Sequence, residues 1–263
     1  MNGKDRGHLY TETRGEGEPL LMIHGIISDS TFFSESADIL GKSYQVITYD
    51  RRGYGKSREE SYESFTVSEQ AQDAADVLRA LCTKPAWVVG YSTGGLIAIE
   101  LALQFPELVR GLLLLEPSLG YDAENGKRLM EWNRELNQYV QEGRAKQALV
   151  AFTRVTGPNE DGKRKVSLLE LQNVYRNLET FLHGELNEVQ HYQPPVEDLR
   201  GIKAPVTVGV TEKGKDGIFA TSSLSGANII GWPVLWFPGN HNVGKDRPQE
   251  FADRVRECFA SAK

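Results

Sequence analysis

An α/β fold with a parallel sheet is what this sequence predicts, and three observations predict it. Short apolar runs alternate with amphipathic helical stretches through the first 117 residues, the rhythm of parallel strands joined by crossover helices. One of those runs, Leu112-Leu113-Leu114-Leu115, is apolar throughout, as a fully buried strand reads. The strand–helix rhythm returns near the C-terminus after a long helical interruption.

Residues 20–23 read as a buried strand ending at His24-Gly25, and residues 44–49 as another ending at Asp50. A helix follows over 66–81. Thr66-Val67-Ser68-Glu69 opens it as a capping box, and Val67, Ala71, Ala74, Ala75, Leu78 and Leu81 share one face. Residues 87–89 form the next strand, and a helix-like pattern (Leu96, Ile97, Ile99, Leu101) runs on until Pro106 ends it. The strand at 112–115 stops at Glu116-Pro117. From about 121 to 191 no strand-like run appears, and helical stretches (130–141, 145–155, 168–186) are interrupted by a polar, glycine-bearing loop at 157–165. These helices are too polar to bury a core of their own, so the segment reads as an insertion. Strands resume at 205–210 and 234–237, and a closing helix covers 248–259. The expected organisation is a core of residues 1–119 and 196–263 with a helical insertion over 120–195.

Composition narrows the functional classes. The 263 residues carry a formal net charge of −6, and nucleic acid or an acidic membrane would call for a basic face. No apolar run approaches the roughly 20 residues that span a bilayer. The polar start, Met-Asn-Gly-Lys-Asp-Arg-Gly-His, lacks the apolar core of a signal peptide. Cys82 and Cys258, both in helical patterns, read as reduced, partly buried thiols. A cytoplasmic protein fits these features.

Chemistry concentrates at Gly90-Tyr91-Ser92-Thr93-Gly94-Gly95. Strand, glycine-flanked serine, helix is the arrangement that presents a hydroxyl at the top of a sheet on a tight turn. Side chains at the flanking glycines would collide as the chain reverses. Serine needs a base. Of the five histidines, only His241 follows the last strand, in Trp-Phe-Pro-Gly-Asn-His-Asn. His8 precedes the core strands, His183 and His191 lie in the insertion, and His24 reads as a brace for its own loop. The acid that orients the base is Glu116, at the end of the strand after the serine helix, or Asp216, in the polar run from Thr211 to Gly217. Placement favours Glu116: a carboxylate held beside an apolar run is costly without a partner. Developing negative charge would fall to the N–H groups of Thr93 and of Ile26 in His24-Gly25-Ile26-Ile27. Asp50-Arg51-Arg52-Gly53-Tyr54-Gly55-Lys56-Ser57 reads as a polar turn that braces these loops.

His24-Gly25, Asp-x-Arg-Gly-x-Gly-x-Ser at 50–57, Gly-Tyr-Ser-Thr-Gly-Gly at 90–95 and the late His241 occur in that order. The chain resembles the α/β-hydrolase superfamily over nearly its whole length. The resemblance implies a mostly parallel sheet of about eight strands, helices on both faces and a helical cap. Most members carry the acid after the strand that follows the cap, where this chain reads Thr-Glu-Lys-Gly. Some branches, including fungal hydrolases of the lactone zearalenone, place a glutamate after the preceding strand, in a context similar to Leu115-Glu116-Pro117. The expectation is a cofactor-free, metal-free serine hydrolase of small-molecule carboxylic esters or lactones, with a homodimer left open. A ligand receptor on the same pocket, and C–C or peroxy-acid chemistry on the same residues, are the alternatives. Trp132, Phe152, Tyr175, Phe181 and Tyr192 are candidate lining aromatics.

Overall fold

The computed structural model describes residues 9–58, 64–117, 119–156 and 168–262. The described chain runs β1 (Thr11–Arg14), β2 (Glu18–Ile23), α1 (Ser34–Leu40), β3 (Tyr44–Tyr49), α2 (Val67–Leu81), β4 (Ala86–Tyr91), α3 (Thr93–Gln104) and β5 (Val109–Leu115). Next come α4 (Ala123–Gln141), α5 (Ala145–Thr156), α6 (Leu168–Thr180), a π turn (Phe181–Glu185), α7 (Leu186–His191) and α8 (Val196–Arg200). The chain closes with β6 (Val206–Thr211), α9 (Ile218–Ile230), β7 (Val234–Phe237), α10 (Val243–Asp246) and α11 (Pro248–Ser261).

Seven strands form one sheet in the order β1-β3-β2-β4-β5-β6-β7. Every neighbouring pair is parallel except β1 with β3. The architecture is the mostly parallel α/β sheet that the sequence predicts. Side-chain alternation explains why the central strands read as unbroken apolar runs. Leu21, Ile23, Val88, Leu112 and Leu114 point to the face covered by α2 and α3. Leu20, Met22, Val89, Leu113 and Leu115 point to the opposite face, with residues of α1 and α11. Each such side chain contributes about 1.5–3 kcal/mol through burial.

The capping box holds as read: Thr66 Oγ1 accepts from the Glu69 N–H at 3.1 Å, and Glu69 Oε2 accepts from the Thr66 N–H at 2.9 Å. Several elements differ from the sequence reading: α1, α8, α9 and α10 are helices it does not name, and α4 begins at Ala123, ahead of the expected 130. Strand β1 was not expected. It is a short polar edge strand that pairs on one side only, so burial leaves little pattern in Thr-Glu-Thr-Arg. The single helix expected over 168–186 ends at Thr180 and passes through the π turn before α7. There the Gly184 carbonyl accepts from the Phe65 N–H at 3.1 Å, and Glu185 turns inward onto Arg51. The expected loop at 157–165 lies outside the described residues.

Between β5 and β6 the described regular elements are all helical. Trp132, Leu136, Ala151, Phe181 and Leu186 from this segment share one apolar cluster with Ile26, Ile27, Ile218 and Phe219 of the sheet-end loops and α9. This cluster ties the segment to the sheet end, while Met130 of α4 and Val150 of α5 stay exposed.

Candidate active site

Strand β4 delivers Ser92 to the carboxyl edge of the sheet, and α3 begins at the next residue. The turn is tight enough to hold Ser92 at φ 53° and ψ −121°. Both glycines around it are sterically required. A Cβ on Gly90 would lie 2.5 Å from the Gly94 carbonyl oxygen, and one on Gly94 would lie 2.2 Å from the Ile23 carbonyl oxygen. As the first residue of α3, Thr93 has a backbone N–H that the helix itself does not use. The His24-Gly25 loop, which follows β2, packs directly on the serine: a Cβ at Gly25 would lie 3.1 Å from the Ser92 Cβ.

Among the described residues, three non-glycine residues have positive φ: Ile27 (57°), Ser92 (53°) and Glu116 (46°). All three follow central strands at the same edge of the sheet. Such backbone strain persists where surrounding structure over-determines it and gathers at functional sites.

Glu116 leaves the end of β5 and is 1% exposed. Its Oε2 accepts from His241 Nδ1 at 2.5 Å, and its Oε1 accepts from the Thr211 N–H at 2.9 Å and the Thr211 hydroxyl at 2.5 Å. These bonds compensate a buried carboxylate that would otherwise be expensive. Because Nδ1 donates, the neutral ring keeps Nε2 as an acceptor. The imidazole is 4% exposed and sits between two rings, stacked on Phe219 at 4.6 Å and tilted against Tyr91 at 4.8 Å. Burial and the Glu116 charge push the Tyr91 hydroxyl well above its usual range, so it stays protonated. That hydroxyl donates to Asn242 Oδ1 at 3.2 Å.

A cavity of about 310 Å³ opens over this edge, with Ser92, Thr93 and Ile26 among its lining residues. Leu129, Trp132, Phe181, Leu186 and Phe219 supply apolar lining, and Asn133, Gln190 and Gln193 supply polar groups. Mostly apolar walls with a few polar groups are typical of small-molecule sites.

The family model described as the alpha/beta hydrolase fold matches residues 18–242. The chain belongs to the α/β-hydrolase family. It is 24% identical over 261 residues to the uncharacterized hydrolase YraK of Bacillus subtilis, covering 97% of this chain and 94% of that protein. Over 120 residues it is 37% identical to a pimeloyl-acyl-carrier-protein methyl ester esterase of Aliivibrio fischeri, a stretch covering 46% of this chain and 44% of the esterase. The solved structure of Est816, described as an N-acyl homoserine lactone degrading enzyme, shares the fold. Its TM-score is 0.76 at 22% identity, over 95% of this chain and 96% of that one.

In this α/β hydrolase, Glu116 and His241 are hydrogen-bonded, and Ser92, Thr93 and Ile26 share one cavity. Asp216 lies exposed in the loop after β6. His24 is fully buried; its Nε2 accepts from the Arg51 N–H at 3.0 Å, so it braces the loop as expected. Asp50 does likewise, accepting from the Ser30 N–H at 2.8 Å and the Lys56 N–H at 2.7 Å. Trp132, Phe181 and Tyr192 line the cavity, whereas Phe152 packs behind them on Trp132 and Phe181. The side chain of Tyr175, and His8, lie outside the described residues. Sequence reasoning missed Phe219 and Thr211. Each sits in an ordinary apolar or β-branched pattern, and only packing brings it onto His241 or Glu116. Among the described residues no helix is long and apolar enough to cross a membrane.

Proposed function

We propose that this protein is a serine hydrolase that cleaves carboxylic esters or lactones through an acyl-enzyme. The observation that carries the reading is the buried Glu116–His241 pair at the sheet edge where Ser92 is turned into the cavity. In this scheme Ser92 Oγ attacks the substrate carbonyl while His241 Nε2 takes its proton. Glu116 holds the ring with Nδ1–H toward itself and stabilises the imidazolium that forms. The N–H groups of Ile26 and Thr93 receive the negative charge on the carbonyl oxygen. The tetrahedral intermediate collapses, the C–O bond breaks, and His241 returns its proton to the departing alkoxide. Water, activated by the same imidazole, then adds to the acyl group and releases the acid with Ser92 restored. In a lactone the departing alkoxide stays tethered to the acyl group, and the product is a hydroxy acid.

Residues 120–195 act in this reading as a cap over a core formed by 1–119 and 196–263, and set which acyl and alcohol groups enter. The ester and lactone assignment draws on the names of the relatives and on the apolar lining of the cavity. The test is hydrolysis of a panel of short- and medium-chain aryl esters and N-acyl homoserine lactones by wild type and Ser92→Ala. Turnover by the wild type alone, with an acylated Ser92 trapped by a fluorophosphonate, is expected. Equal turnover by Ser92→Ala overturns the scheme. Binding with neither turnover nor acylation indicates a receptor instead.

A further inference from the structure

The peptide joining Gly25 to Ile26 carries both the Gly25 carbonyl and the Ile26 N–H. In a planar trans peptide these two groups point in opposite directions, and no cis peptide occurs among the described residues. Whatever holds the Gly25 oxygen therefore aims the Ile26 N–H.

Two donors hold it. His24 Nδ1 lies 2.8 Å from the Gly25 oxygen, and Arg51 Nη2 donates to it at 3.0 Å. The histidine tautomer follows from its other bond: Nε2 accepts from the Arg51 N–H, which leaves the ring proton on Nδ1. Arg51 is itself buried, at 1% exposure, and is held mainly from the helical insertion. Glu185 accepts from Arg51 Nη1 and, at 3.2 Å, from Nη2. Gln70 accepts from Nη1 and in turn donates to Glu185 at 2.9 Å. The Tyr54 hydroxyl also donates to Glu185, and the guanidinium lies 4.5 Å from the centre of the Tyr54 ring. The π turn at the end of α6 is what brings Glu185 into this position.

We propose that Glu185 and Arg51 are positioning residues for the oxyanion hole: their ion pair holds the guanidinium on the Gly25 carbonyl, which aims and polarises the Ile26 N–H. A cation hydrogen-bonded to an amide oxygen draws electron density toward it and makes the amide N–H a stronger donor. The inference rests on the hydrolase reading, in which Ile26 donates to the oxyanion. It gives the insertion a direct line to the reacting centre as well as a wall of the cavity. Stability alone does not require such a pair, since buried ion pairs replaced by apolar residues of similar volume are often neutral or stabilising.

The test compares wild type, Ser92→Ala, the double variant Arg51→Met/Glu185→Met, and Arg51→Lys. The readouts are kcat and KM on an ester that the wild type hydrolyses, and inhibition by a trifluoromethyl ketone, which forms an oxyanion on the serine. End-point fluorophosphonate labelling counts folded active sites, so any misfolded fraction is removed from kcat. Removing an oxyanion donor outright costs about 10²–10³ in kcat. A donor left in place but released from its brace is expected to cost about 10- to 100-fold in kcat with KM nearly unchanged. The ketone should weaken by the same factor as kcat/KM. Arg51→Lys keeps the charge but loses the fork that reaches Glu185 and Gly25 together; it should fall in the same direction, and it carries the test if the double variant does not fold. Wild-type kcat per active site in the folded variants overturns the proposal while leaving the hydrolase reading intact. Turnover by Ser92→Ala at the wild-type rate overturns both.

Discussion

His241 Nδ1 and Glu116 Oε2 stand 2.5 Å apart, both side chains buried, while Thr211 holds the other Glu116 oxygen. A carboxylate pinned in this way can only accept, so it selects the histidine tautomer whose Nε2 is free to take a proton. Glu116→Gln presents an amide that can donate to the ring and favour the wrong tautomer. The expected loss in kcat is on the order of 10³–10⁴-fold. Asp216→Asn, in the exposed loop, should stay within about twofold of wild type. Steady-state assays of the two variants side by side check this; inactivity confined to Asp216→Asn would make the assignment of Glu116 wrong.

Ser92→Ala should lower kcat by about 10⁵–10⁶-fold. The elbow is held by the Ser92 N–H donating to the Leu115 carbonyl at 2.8 Å, a bond that alanine keeps. Thermal melting should therefore shift by only a few degrees while turnover disappears.

Gly94 and Gly143 separate two reasons for glycine. A methyl at Gly94 meets backbone oxygens of Ile23 at 2.2 Å and His24 at 2.8 Å, neither of which can move without shifting β2 and its loop. Gly94→Ala should cost about 3 kcal/mol or more. Gly143 has φ 68° but nothing within 4 Å, so Gly143→Ala meets only the backbone penalty of about 1–2 kcal/mol. Urea denaturation of both measures the difference.

Acid should destabilise the protein through His24. Burial, and then the nearby Arg51 charge, depress its pKa well below the usual value of 6.5. The unfolded chain therefore takes up a proton near pH 6.5 that the folded state refuses. Stability contributed by neutral His24 is fully present above that pH. It falls by up to about 1.4 kcal/mol per pH unit as the pH drops below it, until the folded pKa is reached. Denaturation midpoints at pH 7.5, 6 and 5 should show this slope, and His24→Gln should flatten it. An equal slope in the variant would assign the effect to other groups.

Much of this protein was legible in the sequence because much of it is local. Periodicity marked the central strands, since burial on both faces leaves an unbroken apolar run. Capping chemistry marked the start of α2, and the glycines around Ser92 marked the elbow, because a tight turn excludes side chains whatever lies far away. The polar edge strand β1 and the π turn left no such mark: the first is buried on too little surface, and the second brings Glu185 to Arg51, a partner 134 residues away. The choice between Glu116 and Asp216 was of the same kind. Placement at a strand end favoured Glu116, but what brings it to His241 is the sheet order β5-β6-β7, which sets the loop after β7 near the end of β5 with Thr211 of β6 on the same carboxylate. The sequence alone determined the central strands, the elbow and the order of the polar residues along the chain. Tertiary structure decided which of those residues touch, because contacts between strand-end loops depend on sheet order and on the packing of the helices between β5 and β6, and neither is written in any one segment.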